Sequence, residues 1–126
     1  MAYTFDSNTG DIVLPVGDTA DIYVSVNYSG LNKTSRVLFG VFDKYTPDKD
    51  IFLKQATIEN GIAHIRICNA DTRDLTPGSY KWQLRIVTGG VTDKDGNIVT
   101  DDCSDEVISV FKNPPSIKLV KGGAYV

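Results

Sequence analysis

Apolar and polar residues alternate with a period of two along most of the chain, in short runs set apart by Gly, Pro, Asn and Asp. Successive side chains of a β-strand point to opposite faces, so the pattern predicts many short strands, each with one face on a core. The clearest follows Gly17-Asp18, where Ala20, Ile22, Val24, Val26 and Tyr28 alternate with Asp21, Tyr23, Ser25 and Asn27. Before it, Asp11 to Val16 reads as a short strand. Pro15 lacks the N–H that a central ladder uses, which places that strand at an edge. Arg36 to Asp43 carries Val37, Phe39 and Val41 on one side and Leu38 and Phe42 on the other, the pattern of a central strand covered on both faces. Tyr45 to Asp50 is a polar loop around Pro47. Ile51 to Ile58 then reads as a weaker strand that turns at Glu59-Asn60-Gly61 into Ile62 to Cys68, with Ala63, Ile65 and Ile67 opposite His64, Arg66 and Cys68.

In the loop from Asn69 to Gly78, Asp71-Thr72 starts a short helical turn, Leu75 plugs the core, and Thr76-Pro77-Gly78 turns into a strand beginning at Ser79. There Tyr80, Trp82, Leu84 and Ile86 share one face against Lys81, Gln83 and Arg85, the strongest core signal in the chain, with Trp82 expected at its centre. Gly89-Gly90 and Asp95-Gly96-Asn97 bracket a loop or small hairpin. Asp105 to Lys112 reads as a strand with Val107, Ser109 and Phe111 opposite Glu106, Ile108 and Val110, ended by Asn113-Pro114-Pro115. Beyond the prolines, Ile117, Leu119, Tyr125 and Val126 are interleaved with Lys118 and Lys121, the pattern of an extra edge strand or of an arm reaching a neighbour. About seven to nine strands result, with no helix of useful length. The expected fold is all-β, an immunoglobulin-like antiparallel β-sandwich forming a single domain over residues 1–126, with 1–10 and 113–126 as candidate arms.

A chain of 126 residues is long enough for one core. Its 41% hydrophobic and 23% charged residues fit a soluble globular domain. The net charge of −3 speaks against the basic footprint that neutralises phosphates, so no nucleic-acid partner is expected. No apolar run approaches membrane-spanning length, so no membrane partner is expected either. Met1 to Asp6 carries no basic segment followed by a long apolar stretch, which points to synthesis in the cytoplasm. In that compartment Cys68 and Cys103 read as thiols rather than a disulfide.

Catalysis needs a nucleophile with a base, a carboxylate pair or a metal cluster. His64 is the only histidine and falls on the polar side of its strand, where an ordinary surface histidine is expected. Cys68, four residues on, is out of hydrogen-bond reach along a strand. Asp93-Lys94-Asp95-Gly96-Asn97, with Asp101-Asp102, offers oxygen ligands but lacks the spacing and bidentate Glu of a calcium loop, and Asp-Gly is a hairpin pair; Asp48 and Asp50 give a weaker version of the same signal. No catalytic residue, cofactor or metal is expected. Lys81 and Arg85, with His64 and Arg66, would form a charged stripe if their strands were neighbours. Tyr3, Phe5, Tyr23, Tyr45 and Tyr125 fall outside the predicted core, free to stack on sugars or to bury at a protein interface. The candidate interface residues are Tyr3, Phe5, Ile117, Leu119, Tyr125 and Val126.

Three segments carry a family resemblance: Ile12-Val13-Leu14-Pro15-Val16-Gly17-Asp18-Thr19-Ala20, Val41-Phe42-Asp43-Lys44, and Asn69-Ala70-Asp71-Thr72 leading into Leu75-Thr76-Pro77-Gly78-Ser79-Tyr80-Lys81-Trp82. Over roughly residues 10 to 112 the chain resembles the Ig-like N-terminal domain of phage baseplate upper proteins and related phage or prophage tail structural proteins. Leu75, Pro77-Gly78 and Tyr80 also match the corner in which a Tyr hydroxyl ties an immunoglobulin-type strand to the loop before it, although Trp82 stands where antibody domains carry a strand cysteine. The resemblance implies a non-enzymatic component of a tail, baseplate or fibre, resident in the virion after assembly in the bacterial cytoplasm. It would work by assembling with other tail or baseplate subunits or as a homo-oligomer. The alternative from a different class is a carbohydrate-binding or adhesion module of a bacterial surface protein, with exposed Tyr rings stacking on sugars.

Overall fold

A computed structural model describes residues 3–27, 35–88, 91–92, 98–99 and 106–121, with the backbone alone at 91–92, 98–99 and 106. The described residues are all-β apart from one helical turn. In chain order the strands are β1 (Thr4–Phe5), β2 (Ile12–Pro15), β3 (Ala20–Ser25), β4 (Arg36–Phe42), β5 (Asp50–Glu59) and β6 (Ile62–Ile67). After the turn α1 (Asn69–Thr72) come β7 (Gly78–Thr88), β8 (Val91–Thr92), β9 (Ile98–Val99), β10 (Glu106–Ser109) and β11 (Ser116–Val120). A mixed sheet runs in the order β1-β2-β11-β7-β4-β5-β6-β3, with β10 also paired to β7, while β8 and β9 form a separate two-stranded ribbon.

β5 curls this sheet. Asp50 to Thr57 pair with β4, whereas only Ile58 and Glu59 pair with β6, so β5 and β6 diverge beyond their turn. β6 instead pairs along its whole length with β3. The apolar faces at the two ends of the path therefore meet in one core. Ala20, Ile22, Ala63, Ile65 and Ile67 come from one side, and Ile12, Leu14, Val37, Phe39, Val41, Trp82, Leu84, Ile117 and Leu119 from the other. Trp82 sits centrally, as its pattern predicts. It stacks on Phe39 at 5.1 Å, meets Phe111 edge-on at 4.9 Å, and donates its Nε1–H to the Gly10 carbonyl at 3.0 Å. The two outermost strands of the path are tied by a side chain: the Tyr3 hydroxyl donates to the Asp21 carbonyl of β3.

Several local expectations hold. The β5–β6 turn is Asn60-Gly61 with φ of 53° and 76°, the left-handed pair a two-residue hairpin needs. The turn α1 is closed by the Asp71 carboxylate, which accepts from the Cys68 N–H at 2.7 Å, and Thr72 is wholly buried, its hydroxyl accepting from the Gly17 N–H at 2.9 Å. The Tyr80 hydroxyl donates to the Thr76 carbonyl at 2.6 Å, tying β7 to its preceding loop.

Other expectations are corrected. Residues 116–120 are neither an edge strand nor an arm: β11 lies inside the sheet, parallel to β2 and antiparallel to β7, because Ile117 and Leu119 complete the core beside Ile12 and Leu14. The sheet is consequently mixed rather than purely antiparallel. β2 is not an edge strand either, being flanked by β1 and β11. It accommodates Pro15 because β1 reaches only Ile12 and Val13, leaving the proline beyond the short strand's end. Strand β10 spans only Glu106–Ser109 of the predicted Asp105–Lys112, with Val107 exposed on it, and Phe111, beyond its end, packs edge-on against Trp82. Tyr28, the loops at 89–90 and 93–97, Asp101-Asp102, Cys103 and Gly122-Gly123 lie outside the described residues.

Candidate interaction surface

The predicted interface residues do not form one patch. Ile117 and Leu119 are fully buried between β2 and β7 and are unavailable to a partner, because the chain's own core uses them. Tyr3 is half-buried, and its hydroxyl is used by Asp21. Phe5 stays exposed on β1, while Tyr125 and Val126 lie outside the described residues. The charged stripe also divides. Lys81 and Arg85 are on β7, three strands away from His64 and Arg66 on β6, with β4 and β5 between them.

The sequence pattern did not single out the exposed edge of β5. Between Asp50 and Thr57 this strand pairs with β4 on one side, and among the described residues no strand pairs with its other side. Its side chains alternate. Phe52, Lys54 and Ala56 turn towards the core, while Ile51 and Leu53 turn outwards at 39% and 49% exposure. A register shift at Val41/Phe42 makes Ile51 the extra residue of a bulge. A free edge is usually guarded by a charge or a proline. Here Lys54 is drawn away by the Asp71 carboxylate, 3.0 Å from its Nζ, and Asp50 folds back towards Gly40, where an added Cβ would meet its Oδ1 at 2.7 Å. The missed signal was legible in part: Ile51-Phe52-Leu53 is an unbroken apolar run, too long for a strand buried on one face only.

Beside this edge the parting of β5 and β6 leaves an open groove of about 470 Å³, lined by Arg36, Gln55, Thr57, Glu59, Ile62 and His64. His64 belongs to a small network on the outer face of β3 and β6. Its ring lies 4.5 Å from that of Tyr23 and within 8° of parallel, and Nε2 is 2.8 Å from Asp21 Oδ1, which Arg66 also approaches at 3.4 Å. A second concavity, of about 530 Å³, opens at the other end among Val16, Asn69, Arg73, Leu75, Pro77 and Lys121. Its floor is fixed by the Asn69 amide donating to the Gly17 carbonyl at 2.7 Å. Cys68 is a half-buried free thiol, and among the described residues no group of three His, Cys, Asp or Glu is placed to hold a metal ion. No helix among them is long and apolar enough to cross a membrane. No protein-family model matches the chain, and no curated protein or solved structure matches it.

Proposed function

We propose that the chain is a non-enzymatic structural module that acts by protein–protein assembly, as an immunoglobulin-like component of a phage or prophage tail, baseplate or fibre. The observation that carries assembly is the β5 edge. Between Asp50 and Thr57 β5 pairs with β4 on one side, and among the described residues its other side has no strand partner, beside exposed Ile51 and Leu53, with the one lysine of the strand held on α1. Such an edge is a template for pairing with another chain, and burying the exposed parts of Ile51 and Leu53 adds about 1–3 kcal/mol before the costs of association. The virion setting rests on the sequence resemblance around Leu75 to Trp82, to which the Tyr80–Thr76 corner is congenial.

Light scattering on the full chain across a range of concentrations, with Leu53→Lys alongside, tests this reading. A defined oligomer that Leu53→Lys reduces to a folded monomer is expected. A wild-type chain that is monomeric at every concentration removes pairing between copies and confines assembly to a different tail subunit. An oligomer indifferent to Leu53→Lys removes β5 as the assembling edge.

A further inference from the structure

We propose that the concavity among Val16, Asn69, Arg73, Leu75, Pro77 and Lys121 is a docking site for an acidic peptide segment of a partner protein, one that presents an aliphatic side chain beside a Glu or Asp. Three stretches far apart in sequence build it. The loop after α1 brings Arg73, Leu75 and Pro77 to the end of β2, which Val16 follows, and Lys121 joins them just beyond the end of β11. The floor is apolar: Val16 and Leu75 are half-buried, packing against the core on one side and lining the concavity on the other. It is also fixed in place. The Val16 N–H donates to the Val120 carbonyl and the Leu75 N–H to the Thr72 carbonyl, both at 2.9 Å, and the Asn69 amide donates to the Gly17 carbonyl at 2.7 Å. A floor ordered before the ligand arrives loses little freedom on binding.

Charge selects the partner. Among the described residues lining the concavity are two cations, Arg73 and Lys121, and no carboxylate, in a chain whose net charge is −3. The acid of α1 does not offset them, because the Asp71 carboxylate is taken by Lys54 Nζ at 3.0 Å and by the Cys68 N–H at 2.7 Å. Arg73 leans on Asn69, its Nη1 donating to Oδ1 at 3.4 Å. Its contact with Asp74, at 3.8 Å between side chains 59% and 90% exposed, is a pair in water that a better-placed carboxylate displaces. A segment carrying both features satisfies the cations with its carboxylate and buries its aliphatic neighbour on Val16, Leu75 and Pro77. The volume of about 530 Å³ lies within the range of ligand sites, about 300–1,000 Å³, but the concavity is open rather than enclosed, which suits a segment held by the rest of a larger partner over a free small molecule. No residue of β5 lines it, so the site goes beyond assembly through the β5 edge and stands or falls separately from it.

The test is a titration of the isotope-labelled full chain at low salt with the blocked peptide acetyl-Gly-Glu-Leu-Glu-Gly-amide, followed by amide NMR shifts. Saturable shifts centred on Val16, Gly17 and residues 69–77, in the millimolar range of a shallow site and weakening as salt is added, are the expected result. Replacing the peptide's leucine by serine, or both its glutamates by glutamine, should weaken binding about tenfold. Arg73→Gln and Lys121→Gln, both at exposed positions, should each weaken it about threefold, whereas Lys118→Gln, at an exposed lysine of β11 outside the concavity, should bind as wild type. Thermal melting confirms that each variant is folded. No saturable shift, shifts mapping elsewhere, equal affinity for the glutamine peptide, or an equal loss in Lys118→Gln overturns the proposal. Hexanoate binding at the same residues as tightly as the peptide assigns the site to a free carboxylate and overturns it as well.

Discussion

At position 83 a side chain stands in for backbone. β7 is paired along one edge by β10 at Arg85–Thr88 and by β11 at Gly78–Lys81, and between them the chain leaves the ladder through residues 110–115. Gln83 fills that break. Its amide donates to the Phe111 carbonyl at 2.8 Å, and its Oε1 accepts from the Phe111 N–H at 2.9 Å and the Leu84 N–H at 3.1 Å. Because Gln83 is buried, removing the amide strands backbone groups away from water. Gln83→Leu should therefore cost about 2–4 kcal/mol in urea denaturation, well above an ordinary surface change. Tyr80→Phe removes only the bond to the Thr76 carbonyl, and a loss of about 0.5–1.5 kcal/mol is expected in the same assay. The two residues differ in legibility. Tyr80 follows Pro77-Gly78 closely enough for its role to be read locally, and Trp82 announces itself by the alternation of β7. Gln83 reads as one more polar residue opposite Trp82, because its burial depends on where Pro114-Pro115 break a strand some thirty positions away.

Among the elements, β11 shows how far a period of two can be trusted. The alternation of Ile117 and Leu119 with Lys118 correctly predicts a strand with one apolar face. It says nothing of which strands lie on either side, and a C-terminal position after two prolines invites the reading of an arm. The sheet order puts β11 between β2 and β7, where it supplies the parallel pairing of the fold and two fully buried side chains. Deleting residues 116–126 should consequently unfold the chain rather than trim an arm. Loss of Ile117 and Leu119 alone forfeits about 3–6 kcal/mol of burial, comparable to the whole stability of a small domain. Loss of amide shift dispersion in the NMR spectrum checks this, and a folded truncated chain would show that β11 is dispensable. The β5 edge has the same origin. Their pattern places Ile51 and Leu53 in a weak strand, and their exposure follows from β6 leaving β5 for β3, which no local pattern displays.

For the molecule as a whole, the sequence leads to the right class of fold and to most of its core, yet the curl that makes the core possible is carried by two features no local pattern displays. One is the division of β5 between two partners. The other is Tyr3, an aromatic residue near the N-terminus that reads as spare and therefore as interface material. Its hydroxyl instead spans from the β1 end of the sheet to the Asp21 carbonyl on β3, joining the two ends of an eight-strand path. A closing contact and an assembly contact make different demands under mutation. Tyr3→Phe keeps the ring and deletes only the donor, so a closing role predicts a loss of about 0.5–1.5 kcal/mol in unfolding free energy and faster amide exchange along β1 and the Asp21 end of β3. The mass measured by light scattering should not change, because Ile51 and Leu53 on β5 are untouched. An assembly role predicts the reverse, a lower mass at unchanged stability. Measuring both quantities on Tyr3→Phe and Leu53→Lys side by side therefore separates what holds this sheet closed from what it offers to another chain.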